Sequence, residues 1–327
     1  MKAFLKQKEV SILAIIILIS IILTVVNPVF LTMGNILDII EGNVVIGILA
    51  IGMTLIIITS DIDVSVAALT TAVAVIIGNL FAYLPDSWIS VVILFLVAPL
   101  CGLVLGFING FLVSKIEIPA IVVTLGTLNI MSGIVLYITN GRYLNSTNFP
   151  DAFLAFAGFK LLGIPILIYL LAIVAIATWY ILKHTQIGRS ILAVGGNTQS
   201  SVRVGIDYKK VKLFVFSYMG FLAGIAAIAQ TTYTKAVDPN GLAGLELTVI
   251  AAVVVGGANI HGGSGSIHGT LLGVLLLAIV ENGMILAHIN TYWQKVVTGA
   301  IIVFAVSYDH WNYKRSQEKL AKVEVEA

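Results

Sequence analysis

The sequence predicts an all-α, polytopic membrane protein with about ten transmembrane helices. Three observations carry this. Of 327 residues, 59% are hydrophobic and only 10% are charged, whereas a soluble domain has ~25% charge and ~45–50% apolar residues. The mean hydropathy is +1.06. The apolar residues gather in runs approaching or exceeding the ~20 needed to cross a bilayer core of about 30 Å. So few charged side chains cannot clothe a water-facing surface, which excludes a soluble enzyme and a disordered chain. A net charge of +2 gives no field to hold nucleic acid. The solvent of this chain is lipid.

In chain order the runs are 10–26, 44–60, 64–84, 89–113, 118–139, 164–182, 213–234, 247–258, 267–289 and 292–308. The first is followed by Asn27-Pro28-Val29-Phe30, with no small-residue cleavage site, so it reads as a retained anchor. Run 44–60 is at the lower length limit, and 247–258 is too short to cross alone. The cations fix an orientation. Lys2, Lys6, Lys8, Lys115, the six of 183–212 and the four of the tail fall on one side. Arg142, Lys160, Lys235 and Lys295 fall on the other. Fourteen against four places both termini in the cytoplasm. The whole of 1–327 then reads as one transmembrane domain, with a basic cytoplasmic loop at 183–212 and a cytoplasmic tail at 311–327 to which no function is assigned.

Between the second and third runs lie Asp61 and Asp63, in Thr-Ser-Asp-Ile-Asp-Val-Ser-Val. Two readings are open. The segment is a helix break on a polar path, since carboxylates near lipid line cavities or pair; or it is a turn in which Asp63 caps a helix beginning at Val64. The fourth run holds the single cysteine, Cys101, read as a buried inert thiol. With one cysteine, no intrachain disulfide is possible and no metal site is expected. Gly102, Gly106 and Gly110 recur at one-turn spacing, as do Gly220 with Gly224 and Gly269 with Gly273. Such stripes let helix backbones approach closely in lipid. Asn109, Thr124, Thr127 and Asn129 add polar groups to the same bundle; they line a solute passage or bond across helices. Segment 140–163 carries Tyr143, Phe149, Phe153, Phe156 and Phe159, suited to the membrane interface or a docking surface.

The glycine-rich stretch 256–269 lacks the Gly-Lys-Ser/Thr of a phosphate loop and the G-x-G-x-x-G spacing, so it is read as a tight return between a short helix and a span. His261 and His268 are read as loop polar groups. Glu281 stands alone in its apolar run; an isolated intramembrane carboxylate is a functional candidate, and also a group that holds helices together. No catalytic constellation is present, so the residues by themselves point to a transporter.

Four stretches carry a family resemblance. Thr59-Ser-Asp-Ile-Asp-Val-Ser-Val66 is the first, and Ile118-Pro-Ala-Ile-Val-Val-Thr-Leu-Gly-Thr127 the second. The third runs from Gly188-Arg189 through Gly195-Gly196-Asn197 to Gly205-Ile206, and the fourth from Ile250 to Thr270. In order and content they resemble the permease subunits of bacterial ABC importers for monosaccharides and autoinducer 2. Asp61-Ile-Asp-Val-Ser and Phe107-Ile-Asn-Gly-Phe draw nearest to the autoinducer 2 importers, although rhamnose and ribose permeases share most of these features. The chain departs from the family at Ala67-Ala68, where Gly-Ser is usual.

The resemblance implies an ABC importer permease fold with discontinuous helices in the bacterial plasma membrane. It implies two ATPase subunits docking on 183–212 through Gly188, Arg189, Gly195, Gly196, Asn197 and Gly205. An external solute-binding protein and a second permease subunit complete the assembly. No cofactor is expected in this chain, ATP and Mg belonging to the ATPase, and the chain itself is not an enzyme. The expected path for a neutral polyhydroxylated solute includes Asp61, Asp63, Ser65, Asn109, Thr124, Thr127 and Glu281. The alternative is a secondary transporter driven by protons through Glu281.

Overall fold

In a computed structural model of the chain, residues 2–290, 292–301, 303, 304 and 307 are described. Helix α1 (Lys2–Val26) passes through a 3₁₀ turn (Pro28–Leu31) into α2 (Met33–Gly42), which bends by 49° into α3 (Val44–Ile58). Then come α4 (Val66–Leu80), α5 (Trp88–Ser114) and α6 (Ala120–Thr139). A compact excursion follows: β1 (Leu144–Asn145), α7 (Asp151–Ala157), β2 (Lys160–Leu161) and β3 (Ile164–Pro165). The chain continues through α8 (Ile166–His184), α9 (Gln186–Gly196), α10 (Thr198–Arg203) and α11 (Tyr208–Thr234). It ends with β4 (Ala236–Val237), α12 (Leu245–Val255) and α13 (Ile267–Leu286).

Seven of the described helices are long and apolar enough to span a membrane, or eight if the bent α2–α3 pair counts as one. The protein is therefore an all-α, multi-pass membrane protein, and the described helices do not confirm the expected count of about ten spans. Run 247–258 condenses to α12, whose eleven residues rise only ~16 Å at 1.5 Å each. Run 292–308 lies partly outside the described residues, and the tail wholly so. In return, the sequence reading had no place for α2, whose ten residues include Asn35, Asp38 and Glu41.

Burial explains the layering. Helix α3 is apolar on every side, and all its residues but Ile46 are buried; a helix hydrophobic all round belongs in a core. It packs against α8, α11, α12 and α13. The outer helices instead leave apolar faces exposed, such as Leu96, Leu100 and Val104 on α5 and Ile130 and Ile134 on α6, as lipid contact requires. The 27 residues of α5 extend ~40 Å, so this helix must tilt to fit.

The glycine stripes do what their spacing predicts. The Gly102–Gly106–Gly110 face of α5 lies on Phe216, Gly220 and Gly224 of α11, so close that a Cβ at Gly102 would strike the Gly220 carbonyl and one at Gly106 the Phe216 carbonyl. Gly269 and Gly273 of α13 lie in the same way on Gly256 and Ala252.

The two ends of the bundle differ. At one end β1 pairs antiparallel with β4, Leu144 opposite Val237. Here the aromatic segment turns inward: Phe81 meets Phe149 at 4.3 Å and Phe153 at 4.8 Å between ring centroids, and Phe156 meets Phe95 edge-on at 5.5 Å. Phe149 and Phe153 are buried, so these residues are core rather than the expected interface or docking surface. Only Tyr143 and Phe159 of the five are exposed. At the other end lie the C-termini of α3, α5 and α8, the N-termini of α4, α6, α11 and α13, and the amphipathic α9.

Candidate functional site

The site grows from the break between α3 and α4. The helix ends because Ser60 adopts φ 65° and its hydroxyl donates to the His261 carbonyl at 2.9 Å. The two carboxylates then part company. Asp61 receives the Lys212 ammonium of α11 at 2.8 and 2.9 Å on its two oxygens. Asp63 turns inward and is almost wholly buried; its Oδ1 accepts from the Ser65 amide at 2.8 Å and from the Ser65 hydroxyl at 2.6 Å. Helix α4 begins two residues later than expected, at Val66, with Ser65 at the cap. Both readings of the segment thus contain part of the answer: Asp63 organises the turn, and the turn is a polar break.

Two further helices reach the break. Asn109 of α5 donates to the Ser65 hydroxyl at 2.9 Å, and Thr124 of α6 accepts the Val64 amide at 3.3 Å. Asp63, Ser65, Asn109 and Thr124, far apart in sequence, therefore form one buried cluster. Among the described residues, Asp63 Oδ2 and Asn109 Oδ1 have no hydrogen-bond partner. Both are acceptors, so the cluster is chemically suited to hydroxyl or amine donors. Thr127 is buried one turn on and bonds its own helix at the Thr124 carbonyl. Glu281 is not brought to the cluster; it is half-buried on α13 beside Asn282, which pairs reciprocally with Asn35 of α2 at 2.9 and 3.1 Å.

Beneath the break sits α9. Thr185 caps it by accepting the Gly188 amide at 3.2 Å, and Gly188 is small because a Cβ there would strike the Ile181 and Leu182 carbonyls. Gly188, Ile191 and Val194 form its buried side, while Arg189, Gly196 and Asn197 are exposed. A Cβ on Gly195 would collide with the Ile58 carbonyl, the oxygen that accepts the Gly263 amide at 2.9 Å. Asn197 caps α10 through the Ser200 amide at 2.9 Å, and Gly205 takes φ 88°, a region few other residues enter cheaply. Sequence reasoning missed Lys212, counted there only as a surface charge, and the tie of Glu117 to α11. Glu117 accepts from the Tyr208 hydroxyl at 3.0 Å and pairs with Lys209. No group of three or more potential metal ligands occurs among the described residues.

Residues 35–306 match the family described as branched-chain amino acid transport system / permease component. The chain belongs to this permease family. It is 35% identical over 311 residues to a ribose import permease protein of Escherichia coli K12, covering 94% of this chain and 95% of that one. It is 38% identical over 311 residues to its counterpart in Haemophilus influenzae, 92% of each being covered. An autoinducer 2 import system permease protein of Photorhabdus luminescens is 30% identical over 312 residues, covering 94% of this chain and 92% of that one. The expected leaning toward autoinducer 2 importers is not carried by these figures. No solved structure matches. The permease thus combines a transport scaffold with a polar cluster at a helix break and a helix wedged directly beneath it.

Proposed function

We propose that this permease is the membrane-spanning subunit of an ATP-driven importer of a small neutral polyhydroxylated solute, a monosaccharide of the ribose class or autoinducer 2. The observation that carries this reading is the end-to-end similarity to proteins named as import permeases for those solutes. The end of the bundle with α9 and α10 faces the cytoplasm of a bacterial inner membrane, in keeping with the cation count. ATPase subunits, which hold ATP and Mg, dock on the exposed side of α9 and α10 around Arg189, Gly196 and Asn197. An external binding protein delivers solute to the opposite end, and a second permease subunit completes the pathway.

The contacts give a route for coupling. Force on α9 passes through Gly195 to the Ile58 backbone with no flexible side chain between them. Ile58 leads into the segment held by Asp61–Lys212 and Asp63–Ser65, so displacement of α9 displaces the polar cluster. Rigid-body motion of packed helices around such a break is a common form of alternating access. Asp63 Oδ2 and Asn109 Oδ1 offer passing hydroxyls an acceptor pair. Glu281 makes no contact with this route, and no observation favours the proton-driven alternative.

The test replaces Arg189 by Glu and Gly195 by Val in the whole importer. ATP-dependent uptake of labelled D-ribose should fall more than tenfold, with the permease still inserted in the membrane. Unchanged uptake would overturn the docking assignment.

A further inference from the structure

A second polar site lies above the break, built from segments that no motif connects. Residues Ala67, Ala68 and Thr71 of α4, Leu128 and Ser132 of α6, the 239–244 connector, and Glu246 in the first turn of α12 enclose a partly open cavity of about 440 Å³, counting its mouth. The part that the centre of a water molecule can enter is about 80 Å³, room for several waters where one needs ~10–15 Å³.

The lining has a definite chemistry. Glu246 contributes a carboxylate, Asn240 a carboxamide, and Thr71 and Ser132 hydroxyls, against an apolar floor of Ala67, Ala68 and Leu128. The Thr71 hydroxyl donates to the Ala67 carbonyl at 2.9 Å, which leaves its lone pairs for incoming donors. Among the described residues, no lysine or arginine lines the cavity and Glu246 enters no ion pair. An anionic solute is therefore repelled, and the carboxylate of a free amino acid finds no counter-charge. A sugar fits both halves: its hydroxyls donate to Glu246 and Asn240, and its C–H face covers the alanines.

Position strengthens the assignment. Ala67 and Ala68 follow Ser65 within one turn of α4, and Leu128 stands one turn from Thr124 on α6. The cavity floor thus adjoins the buried Asp63–Ser65–Asn109–Thr124 cluster, on its side toward the end where β1 pairs with β4. We propose that this cavity is the first solute station inside the permease, that it takes a neutral monosaccharide, and that Glu246 is its principal hydroxyl acceptor. The inference rests on the import reading above and assigns its solute site.

The test measures uptake of labelled D-ribose and L-leucine by cells carrying the whole importer. The wild type should take up ribose and not leucine, and Glu246→Gln should lower the ribose rate at least tenfold at equal membrane abundance. A second measurement does not depend on turnover. In a Cys101→Ser background, alkylation of a cysteine introduced by Ser132→Cys should be slowed at least fivefold by saturating D-ribose and unaffected by L-leucine. If the wild type imports ribose while Glu246→Gln is unchanged and the thiol is unprotected, the cavity assignment falls and the import reading stands. If the wild type imports leucine and not ribose, the import reading falls as well. Should Glu246→Gln fail to insert, protection of the thiol decides alone.

Discussion

At the residue scale the Asp61–Lys212 pair sets the clearest expectation. The Asp61 side chain is 9% exposed and the Lys212 side chain 21%, so removing one partner strands a charge in a poorly solvated place. Breaking a buried pair costs ~3–5 kcal/mol, while replacing both partners by apolar groups is often neutral. With partial exposure of Lys212, Lys212→Met should cost about 2–3 kcal/mol, and adding Asp61→Leu should restore most of it. Thermal melting in detergent measures both, and equal losses in the single and double variants would contradict the assignment. The Lys209 ammonium and Tyr208 hydroxyl hold the exposed Glu117 carboxyl below its ordinary value of 4.5. The folded state thus favours the ionised form, so its contribution is complete above pH 4.5 and disappears as the pH falls through the lower folded value. Amide exchange at residues 116–118 should accelerate over that acid range, and Glu117→Gln should abolish the dependence. Asp63, Ser65, Asn109 and Thr124 were legible as polar intruders in apolar runs, but their convergence was not, because it depends on how three helices cross. Lys212 was illegible as a partner because a lysine near a helix start looks like any interfacial charge.

The element scale is where sequence spacing spoke most directly. The Gly102–Gly106–Gly110 stripe predicted close helix contact, and the contact is backbone to backbone with α11. Gly106→Val should therefore separate α5 from α11 and cost more than ~3 kcal/mol, as overpacking against an unyielding backbone does. Gly126 and Gly133 of α6, whose added Cβ would meet nothing within 4 Å, provide the contrast. Ala there should be neutral or stabilising by up to ~1 kcal/mol through helix propensity. Melting of the three variants decides; similar losses in all three would mean that the loss at Gly106 does not come from its contact with α11. Hydropathy found the long helices and the short apolar run that forms α12, but it missed α2. That helix is half polar and continues into α3 through a 49° bend. The aromatic segment 140–163 misled for a related reason: composition shows that rings seek an apolar partner, but not that Phe81 and Phe95 supply it.

The whole molecule holds three features: a cavity roofed by the 239–244 connector and Glu246 of α12, a buried cluster at the α3–α4 break, and a wedge helix at the basic end. Only the last two carried sequence motifs. The cavity is assembled from positions 67–71, 128–135 and 239–246, which meet only in the folded bundle. Glu281, prominent in the sequence, stands roughly 21 Å along α13 from its start at the basic end and outside all three. Glu281→Gln should therefore leave ribose uptake within twofold of wild type, as measured in whole cells. The most direct test of the central claim uses liposomes containing the permease with its ATPase partners, the binding protein and labelled D-ribose outside. Ribose should accumulate only with ATP and Mg at the α9–α10 face and only with binding protein at the other. Accumulation driven by a proton gradient without ATP, and lost in Glu281→Gln, would contradict it.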